Sequence, residues 1–216
     1  MINILLYLST GLILVGFIGY ILLIMLGDKK VTDSDGFNIT KDIISKYNTI
    51  NIIESKNYFT MYNIKRKVIK LSSKCYYGND ISSISVALIE AGISVIDSDK
   101  NKYIDLFRNI FSNLKILYIF PIIAIFINHA TYNISDAKVS MLFIIIFSVI
   151  TYMFIDIKNQ AYSWINDNIE KIKEINKDNR IKIFNFISKL IFVDKIIFFG
   201  ELVMIIRMVA ILLEIN

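Results

Sequence analysis

The side chains that could carry chemistry in this sequence are few, and their number already excludes several kinds of catalytic site. The chain has one histidine, His129, and one cysteine, Cys75. A disulfide within the chain and any site that needs two imidazoles are therefore excluded. Carboxylates remain, and Glu90 stands in the apolar segment Ile89 to Ile93. An alternative carboxylate site could be formed by Asp97, Asp99 and Asp156.

The composition of the chain indicates that a membrane positions these residues. Of 216 residues, 55% are hydrophobic and 20% are charged, and the mean hydropathy is +0.56. A soluble domain has roughly 45–50% apolar and about 25% charged residues. We therefore do not expect a soluble enzyme. The net charge of +5 comes without an interleaved basic and aromatic motif, so no nucleic-acid partner is expected.

Apolar runs that could cross a bilayer occur three or four times, since roughly 20 apolar residues suffice. The first, Ile4 to Leu26, carries no charge and is interpreted as an uncleaved N-terminal anchor. The second covers Ile116 to Asn128, extends back towards Leu106, and contains Pro121, which predicts a kink or a helix start. The others are Met141 to Ile155 and Ile196 to Leu213, the last beginning as early as Ile183.

Two charged residues, Glu201 and Arg207, interrupt the last apolar run. They are six residues apart and are not expected to share a helix face. Charges within spans often mark a functional path. A partly interfacial segment with snorkelling side chains explains them at least as well.

The distribution of basic residues predicts the orientation. Residues 27–115 contain fourteen Lys or Arg and residues 156–182 contain six, whereas residues 129–139 contain only Lys138. Under the positive-inside rule both basic regions are cytoplasmic and both chain ends face outward. The two basic regions then lie on one side and could share a site.

We divide the chain into an anchor at 1–26, a cytoplasmic region at 27–112 and further membrane helices at 113–216, with a cytoplasmic helical segment at about 156–182.

The polar region is predicted to be a small α+β unit. Thr40 is expected to cap a helix that runs to Lys46. Strands are expected at Tyr58 to Tyr62 and at Val68 to Leu71, joined by a basic turn. Asp80 is expected to cap a helix that ends at Ile96, because apolar residues recur at helical spacing behind it. An amphipathic helix is expected from Asn159 to Ile175.

The most specific segment runs from Tyr62 to Ile96 and reads YNIKRKVIKLSSKCYYGNDISSISVALIEAGISVI. It resembles a family of bacterial membrane-anchored neutral zinc metallopeptidases. That family has a tyrosine-led turn, a strand ending in Leu-Ser, then Tyr, Gly and a helix running into H-E-V-G-H. The matching positions are Tyr62, Leu71, Ser72, Tyr76, Gly78, Ile81, Ile84, Val86, Ala87, Glu90 and Gly92. The anchor, the cytoplasmic insert and the later membrane helices also follow the family's plan.

The resemblance also shows where this chain departs from the family. Two histidines four residues apart bind zinc in H-E-x-x-H, and the glutamate between them acts on the bound water. The resemblance puts Ile89 and Ile93 at the two histidine positions and Glu90 at the position of the base. The family's third ligand, a glutamate, corresponds to Asp156, and a histidine before the turn corresponds to Met61. No metal cofactor is therefore expected.

Simpler interpretations stand beside these. Taken by itself, Glu90 is predicted to be a solvated helix residue, and within the resemblance it is a relic of the base that keeps a packing role. Ile89 and Ile93 are predicted core residues, Asp156 an interfacial charge, and Cys75 a small buried hydrophobe.

The resemblance therefore implies a mainly α fold, a multi-pass membrane helix bundle with a small cytoplasmic α+β zincin-like insert. We expect a catalytically inactive homologue in the bacterial cytoplasmic membrane, acting as a binding, scaffold or regulatory protein. Its partners would be the lipid bilayer and either an active family relative or another membrane protein. One alternative is an active membrane-bound peptidase with rearranged ligands, which would need zinc. A second is a small structural or transport membrane protein.

Overall fold

The computed structural model describes residues 1–47, 50–56, 60–98, 120–131, 134–172 and 175–213. Its first part contains helices α1 (Ile2–Leu26) and α2 (Gly36–Ile44), strands β1 (Asn51–Ser55), β2 (Met61–Asn63) and β3 (Val68–Ser72), and helices α3 (Ser73–Tyr77) and α4 (Ile81–Ser98). Its second part contains α5 (Phe120–Ala130), α6 (Ile134–Asn168), a 3-10 turn (Ile169–Lys171) and α7 (Lys177–Leu213). Predictions that fall on Tyr58, Asp99, Leu106 and the start of the second apolar run lie outside the described residues.

The chain divides into two compact units. The helical unit comprises Met1–Tyr20, Ile116–Ile155 and Phe192–Asn216, and the mixed unit comprises Ile21–Lys115 and Asp156–Ile191. The mixed unit holds the sheet together with α2, α3 and α4. The fold is therefore mainly helical with a small sheet, as the sequence predicted.

Four helices in the described part of the chain are long and apolar enough to cross a membrane: α1, α4, α6 and α7. Their environments differ, since 17% of the apolar window of α1 is buried by protein but 72% of that of α4 is. Much of the surface of α1 is apolar and exposed, with Ile4, Tyr7 and Met25 more than 60% accessible. A helix with an apolar exposed face suits lipid, whereas α4 is the core helix of the mixed unit, and we treat it as such.

The sheet has the strand order β1-β3-β2. β2 and β3 are antiparallel, with Tyr62 opposite Ile69, and they confirm the predicted hairpin in its described part. The basic turn between them is held by a hydrogen bond from Arg66 N to Asn63 Oδ1 (2.9 Å) and by Lys67 at φ 51°. β1 is parallel to β3 and was not predicted, because Asn51–Ser55 is short and its buried and exposed positions do not alternate.

The sequence correctly predicted α4 and its first turn. The Asp80 carboxylate accepts hydrogen bonds from Ser83 N (2.9 Å) and from the Ser82 hydroxyl (2.6 Å), which satisfies a free N–H at the helix start. Apolar residues at the predicted helical spacing lie in the core, with Ile84, Leu88, Ala91 and Val95 at 0% exposure. Two faces are buried because α2, α3 and the sheet all contact this helix.

Two predicted helix ends were wrong. Thr40 does not cap α2; Asp35 does, by accepting a hydrogen bond from Asn38 N at 2.8 Å, while Thr40 is buried in the middle of the helix. The amphipathic helix after the third apolar run stops at Asn168 and the 3-10 turn, before the predicted end at Ile175. There the guanidinium of Arg180 donates to the carbonyls of Ile172 and Ile175, giving the backbone partners that a helix would have supplied.

Two glycines allow a close approach between helices of the helical unit. The described part of α5 runs from Phe120 to Ala130 and includes Pro121. A Cβ on Gly16 would lie 2.4 Å from a side-chain atom of Ile197, and one on Gly200 would lie 2.6 Å from Ile13. α1 and α7 can therefore approach this closely only because both positions are glycine.

Candidate functional site

Glu90 is buried in the mixed unit and accepts a hydrogen bond from the main chain. Its side chain is on α4 and is 8% exposed, and Glu90 Oε2 accepts from Tyr62 N at 2.6 Å. β2 is an edge strand, so N–H groups on its outer side have no strand partner. Glu90 satisfies one of them. The interpretation of Glu90 as a solvated residue was therefore wrong, and its packing role is supported.

Tyr62 joins this glutamate to a second carboxylate. The tyrosine is fully buried, and its hydroxyl donates to Asp97 Oδ2 at 2.6 Å. Asp97 lies two turns beyond Glu90 on α4 and is 3% exposed. One residue of β2 thus binds two acidic residues of α4, through its backbone and through its side chain.

A buried lysine completes this group, which we call the Glu90 cluster (Tyr62, Glu90, Asp97 and Lys158). Lys158 lies on α6, is 4% exposed, and acts electrostatically on Glu90. Burial raises the pKa of the Glu90 carboxyl to about 7, although the Tyr62 N–H and the positive charge of Lys158 both lower it. Near neutral pH this carboxyl therefore gains and loses a proton easily.

The two isoleucines that flank Glu90 are core residues, as predicted. Ile89 is 5% and Ile93 0% exposed, and Met61, next to Tyr62, is 5% exposed. Ile89 and Ile93 are hydrocarbon and have no lone pair with which to bind a metal ion. Asp156 is half-buried at the start of the α6 segment that belongs to the mixed unit, and its Oδ2 accepts from Gln160 Nε2 at 2.8 Å.

Two glycines of the family-like segment, Gly78 and Gly92, lie where other atoms come too close to leave room for a side chain. A Cβ on Gly92 would lie 3.0–3.2 Å from three atoms of Ala161, so α4 and α6 cross almost in backbone contact. A Cβ on Gly78 would lie 2.2 Å from the carbonyl oxygen of Lys74. Tyr76 stacks on Phe37 with a ring-centroid distance of 4.8 Å. These positions act through packing.

Other candidate residues lie apart from this cluster. Among the described residues, no group of three or more His, Cys, Asp and Glu side chains could hold a metal ion, so Asp97 and Asp156 form no such group there; Asp99 is not described. Cys75 is 8% exposed and burial raises the pKa of its thiol, which confirms it as a buried hydrophobe. A cavity of about 280 Å³ lies between α2 and α6, and its lining includes Tyr47 and Trp164 but no member of the Glu90 cluster.

The structure corrects the interpretation of Arg207 in the helical unit. The arginine is 2% exposed, so it does not snorkel. Its guanidinium donates to the carbonyl oxygens of Asn128 (2.8 Å) and Thr131 (3.0 Å), at the C-terminal end of α5. A cation at this end stabilises the helix, because the last carbonyl groups lack hydrogen-bond donors within the helix and the helix dipole is negative there.

Glu201 is also buried, at 0% exposure, and has a different partner from Arg207. Its Oε1 accepts a hydrogen bond from the Thr151 hydroxyl on α6 at 3.1 Å. The two charged residues therefore do not pair, as their spacing predicted. Sequence reasoning missed their partners because Asn128 and Thr151 lie 79 and 50 residues away.

The described chain is a mainly helical protein with four helices apolar enough to cross a membrane, and its small α+β unit has a core helix that carries a buried acidic cluster. The model of the family described as "Putative neutral zinc metallopeptidase" matches residues 29–181, and the chain belongs to that family. The predicted family is thereby confirmed.

The match extends across α2, the sheet, α4, α5 and α6, and therefore includes the Glu90 cluster. No curated protein and no solved structure matches the chain.

Proposed function

We propose that this chain is a catalytically inactive member of the zinc metallopeptidase family, which acts in the membrane as a binding, scaffold or regulatory protein. One observation carries the proposal. On the resemblance drawn from the sequence, the two histidine positions of H-E-x-x-H are Ile89 and Ile93, and both side chains are buried hydrocarbon.

The argument rests on counting zinc ligands. A catalytic zinc ion takes three protein ligands and keeps an open position for water. With two of the three positions apolar, Asp156 alone remains, and it already accepts a hydrogen bond from Gln160. These residues do not fit a zinc ion of the family's type.

The surroundings of Glu90 support the same proposal. A general base must lie within hydrogen-bond reach of the water that it activates. Glu90 Oε2 instead accepts from the Tyr62 main chain, and the side chain has little contact with solvent. Glu90 would then link α4 to the edge strand, and the retained fold would serve binding.

The decisive experiment measures zinc and proteolysis in the same preparation. Purified in detergent, the protein should contain far less than one zinc per chain by elemental analysis and should cleave neither a casein substrate nor a membrane-protein substrate. A family relative with an intact H-E-x-x-H, purified identically, is the positive control. Glu90→Gln should leave the cellular phenotype of the wild-type gene unchanged.

The rival hypothesis is an active peptidase with rearranged ligands, and it is favoured by the family membership itself. Stoichiometric zinc, together with proteolysis that disappears in Glu90→Gln, would refute our proposal and establish this one. Asp156→Asn would then be the first ligand variant to test.

We also propose that the protein lies in a bacterial cytoplasmic membrane with residues 27–115 and 156–182 on the cytoplasmic side. The asymmetry of Lys and Arg supports this orientation. In a chain with Cys75 replaced by Ser, cysteines at the exposed positions Lys65 and Asn176 should resist an impermeant thiol reagent in intact cells, and one at Asn133 should react. The reverse labelling pattern would overturn the orientation.

The partner that we propose is an active relative or another membrane protein. An inactive homologue that keeps the fold can occupy the surfaces by which family members contact one another; this step is an analogy at the level of fold. Crosslinking in native membranes should recover a complex with an intact relative encoded nearby. Recovery of the chain only as a monomer or homo-oligomer would favour the second alternative, a structural or transport protein.

A further inference from the structure

Inside the helical unit lies an acidic side chain, Glu201, that forms no ion pair with any residue the structure describes. Glu201 is fully buried on α7, and its Oε1 accepts a hydrogen bond from Thr151. Its other oxygen, Oε2, is buried and has no hydrogen-bond partner among the described residues. A buried polar atom that lacks a partner costs free energy, and a buried charge costs more. An acidic residue inside a membrane helix is therefore a candidate functional site.

A second buried oxygen faces this carboxylate. Ser148 precedes Thr151 by three residues on α6, so both hydroxyls are on the same side of that helix. The Ser148 side chain approaches Glu201, yet its Oγ is also buried without a hydrogen-bond partner in the described part of the chain. A serine hydroxyl accepts a hydrogen bond as well as donating one, so Ser148 can pair with a protonated carboxyl group.

In the described part of the chain, the groups that act on the Glu201 carboxylate are uncharged. Among the described residues, those that act on its carboxylate are the hydroxyls of Thr151 and Ser148. Arg207, on the same helix, is bound to the end of α5. From α1, Ile13 and the backbone of Ser9 lie against the neighbouring Gly200.

We propose that Glu201, Ser148 and Thr151 form a proton-binding site inside the helix bundle. A proton on Glu201 Oε2 donates to Ser148 Oγ, while the Thr151 hydroxyl donates to Oε1. One proton satisfies both unpaired oxygens and also removes the buried charge. When the proton leaves, a negative charge stays between α6 and α7 and weakens their packing.

The number of oxygen ligands favours a proton over a metal ion. Hard divalent cations take about six to eight oxygen ligands, each of which the protein or water must supply. Glu201, Ser148 and Thr151 provide at most four oxygens, two of which share one carboxylate. A proton requires only one donor and one acceptor, and that pair is present.

Infrared difference spectroscopy in lipid nanodiscs tests the site directly. The parent is the Glu90→Gln chain, because Glu90 also takes up a proton near neutral pH. At pH 7 the parent should show a carbonyl band of a protonated carboxyl group that disappears in Glu90→Gln/Glu201→Gln. Glutamine is the matched replacement, since its amide donates where the protonated acid would and accepts from Thr151.

Two further results decide the proposal. Ser148→Ala in the same parent should shift the band to higher frequency, because the acid then loses its acceptor; a structural role alone would leave the band in place. Absence of any Glu201-dependent band at pH 7 would overturn the proposal. So would a band that appears only when sodium is removed, since a cation would then occupy the site.

Discussion

The buried carboxyl of Glu90 should make the folded state less stable as the pH rises, and Glu90→Gln should remove this effect. The folded-state pKa is raised from 4.5 to about 7 because burial disfavours the charged form. Below about pH 4.5 the Glu90 side chain is neutral in both the folded and the unfolded chain. Its ionisation then takes nothing from the free energy of unfolding. As the pH rises from about 4.5 to about 7, Glu90 ionises freely in the unfolded chain but keeps its proton in the folded chain. The free energy of unfolding therefore falls over this range, and the loss is complete above about pH 7.

The size of the effect follows from the two pKa values. Each pKa unit corresponds to about 1.4 kcal/mol, so the shift amounts to about 3 kcal/mol above pH 7. In a chain of this length about 1 kcal/mol changes the melting temperature by roughly 2–4 °C. The melting temperature of Glu90→Gln relative to wild type should therefore rise by roughly 6–12 °C between pH 4 and pH 8. The carbonyl oxygen of glutamine still accepts from Tyr62 N, so the hydrogen bond to β2 remains.

The assay is thermal unfolding of wild type and variant in the same detergent, with the difference between them plotted against pH. The new amide group can change the melting temperature by the same amount at every pH. Such a constant difference does not affect the test, because the prediction concerns how the difference in melting temperature changes with pH. Glu54→Gln is the control: hydrogen bonds from Ser73 and Tyr77 lower the pKa of the exposed Glu54 carboxyl, so its difference curve should not rise with pH. A flat or falling curve for Glu90→Gln would refute the burial argument.

Two further variants, one of them with a matched control, test the packing around the motif. Replacing both Ile89 and Ile93 by histidine should lower thermal stability in a buffer with chelator, because each buried ring leaves a polar group unsatisfied at a cost of roughly 1–3 kcal/mol; unchanged stability would contradict the packed core. Gly92→Ala should destabilise by about 1–3 kcal/mol, because the new methyl group meets Ala161 at 3.0 Å. Gly11→Ala in α1, where a Cβ would meet nothing within 4 Å, should be neutral or stabilising by the same unfolding measurement.

The basic hairpin and α4 could be predicted because their determinants are local. The Asp80 cap binds an N–H only three residues away, and the helical stripes repeat every three or four residues. A turn rich in polar residues between two apolar strands is also a local signal. The prediction of the α2 cap was wrong because Asp35 and Thr40 are both residue types that cap helices. The structure uses Asp35.

The sequence by itself determined the apolar helices, the capped core helix, the basic hairpin and the family, because periodicity, composition and short motifs are properties of neighbouring residues. Only the tertiary structure decided that Glu90 is bound by Tyr62, 28 residues away, and that Glu201 and Arg207 are buried with separate partners. It also added β1, which needs β3 beside it. Burial and the pairing of polar groups depend on which distant segments meet. An isolated carboxylate in a sequence does not reveal whether water or protein will surround it.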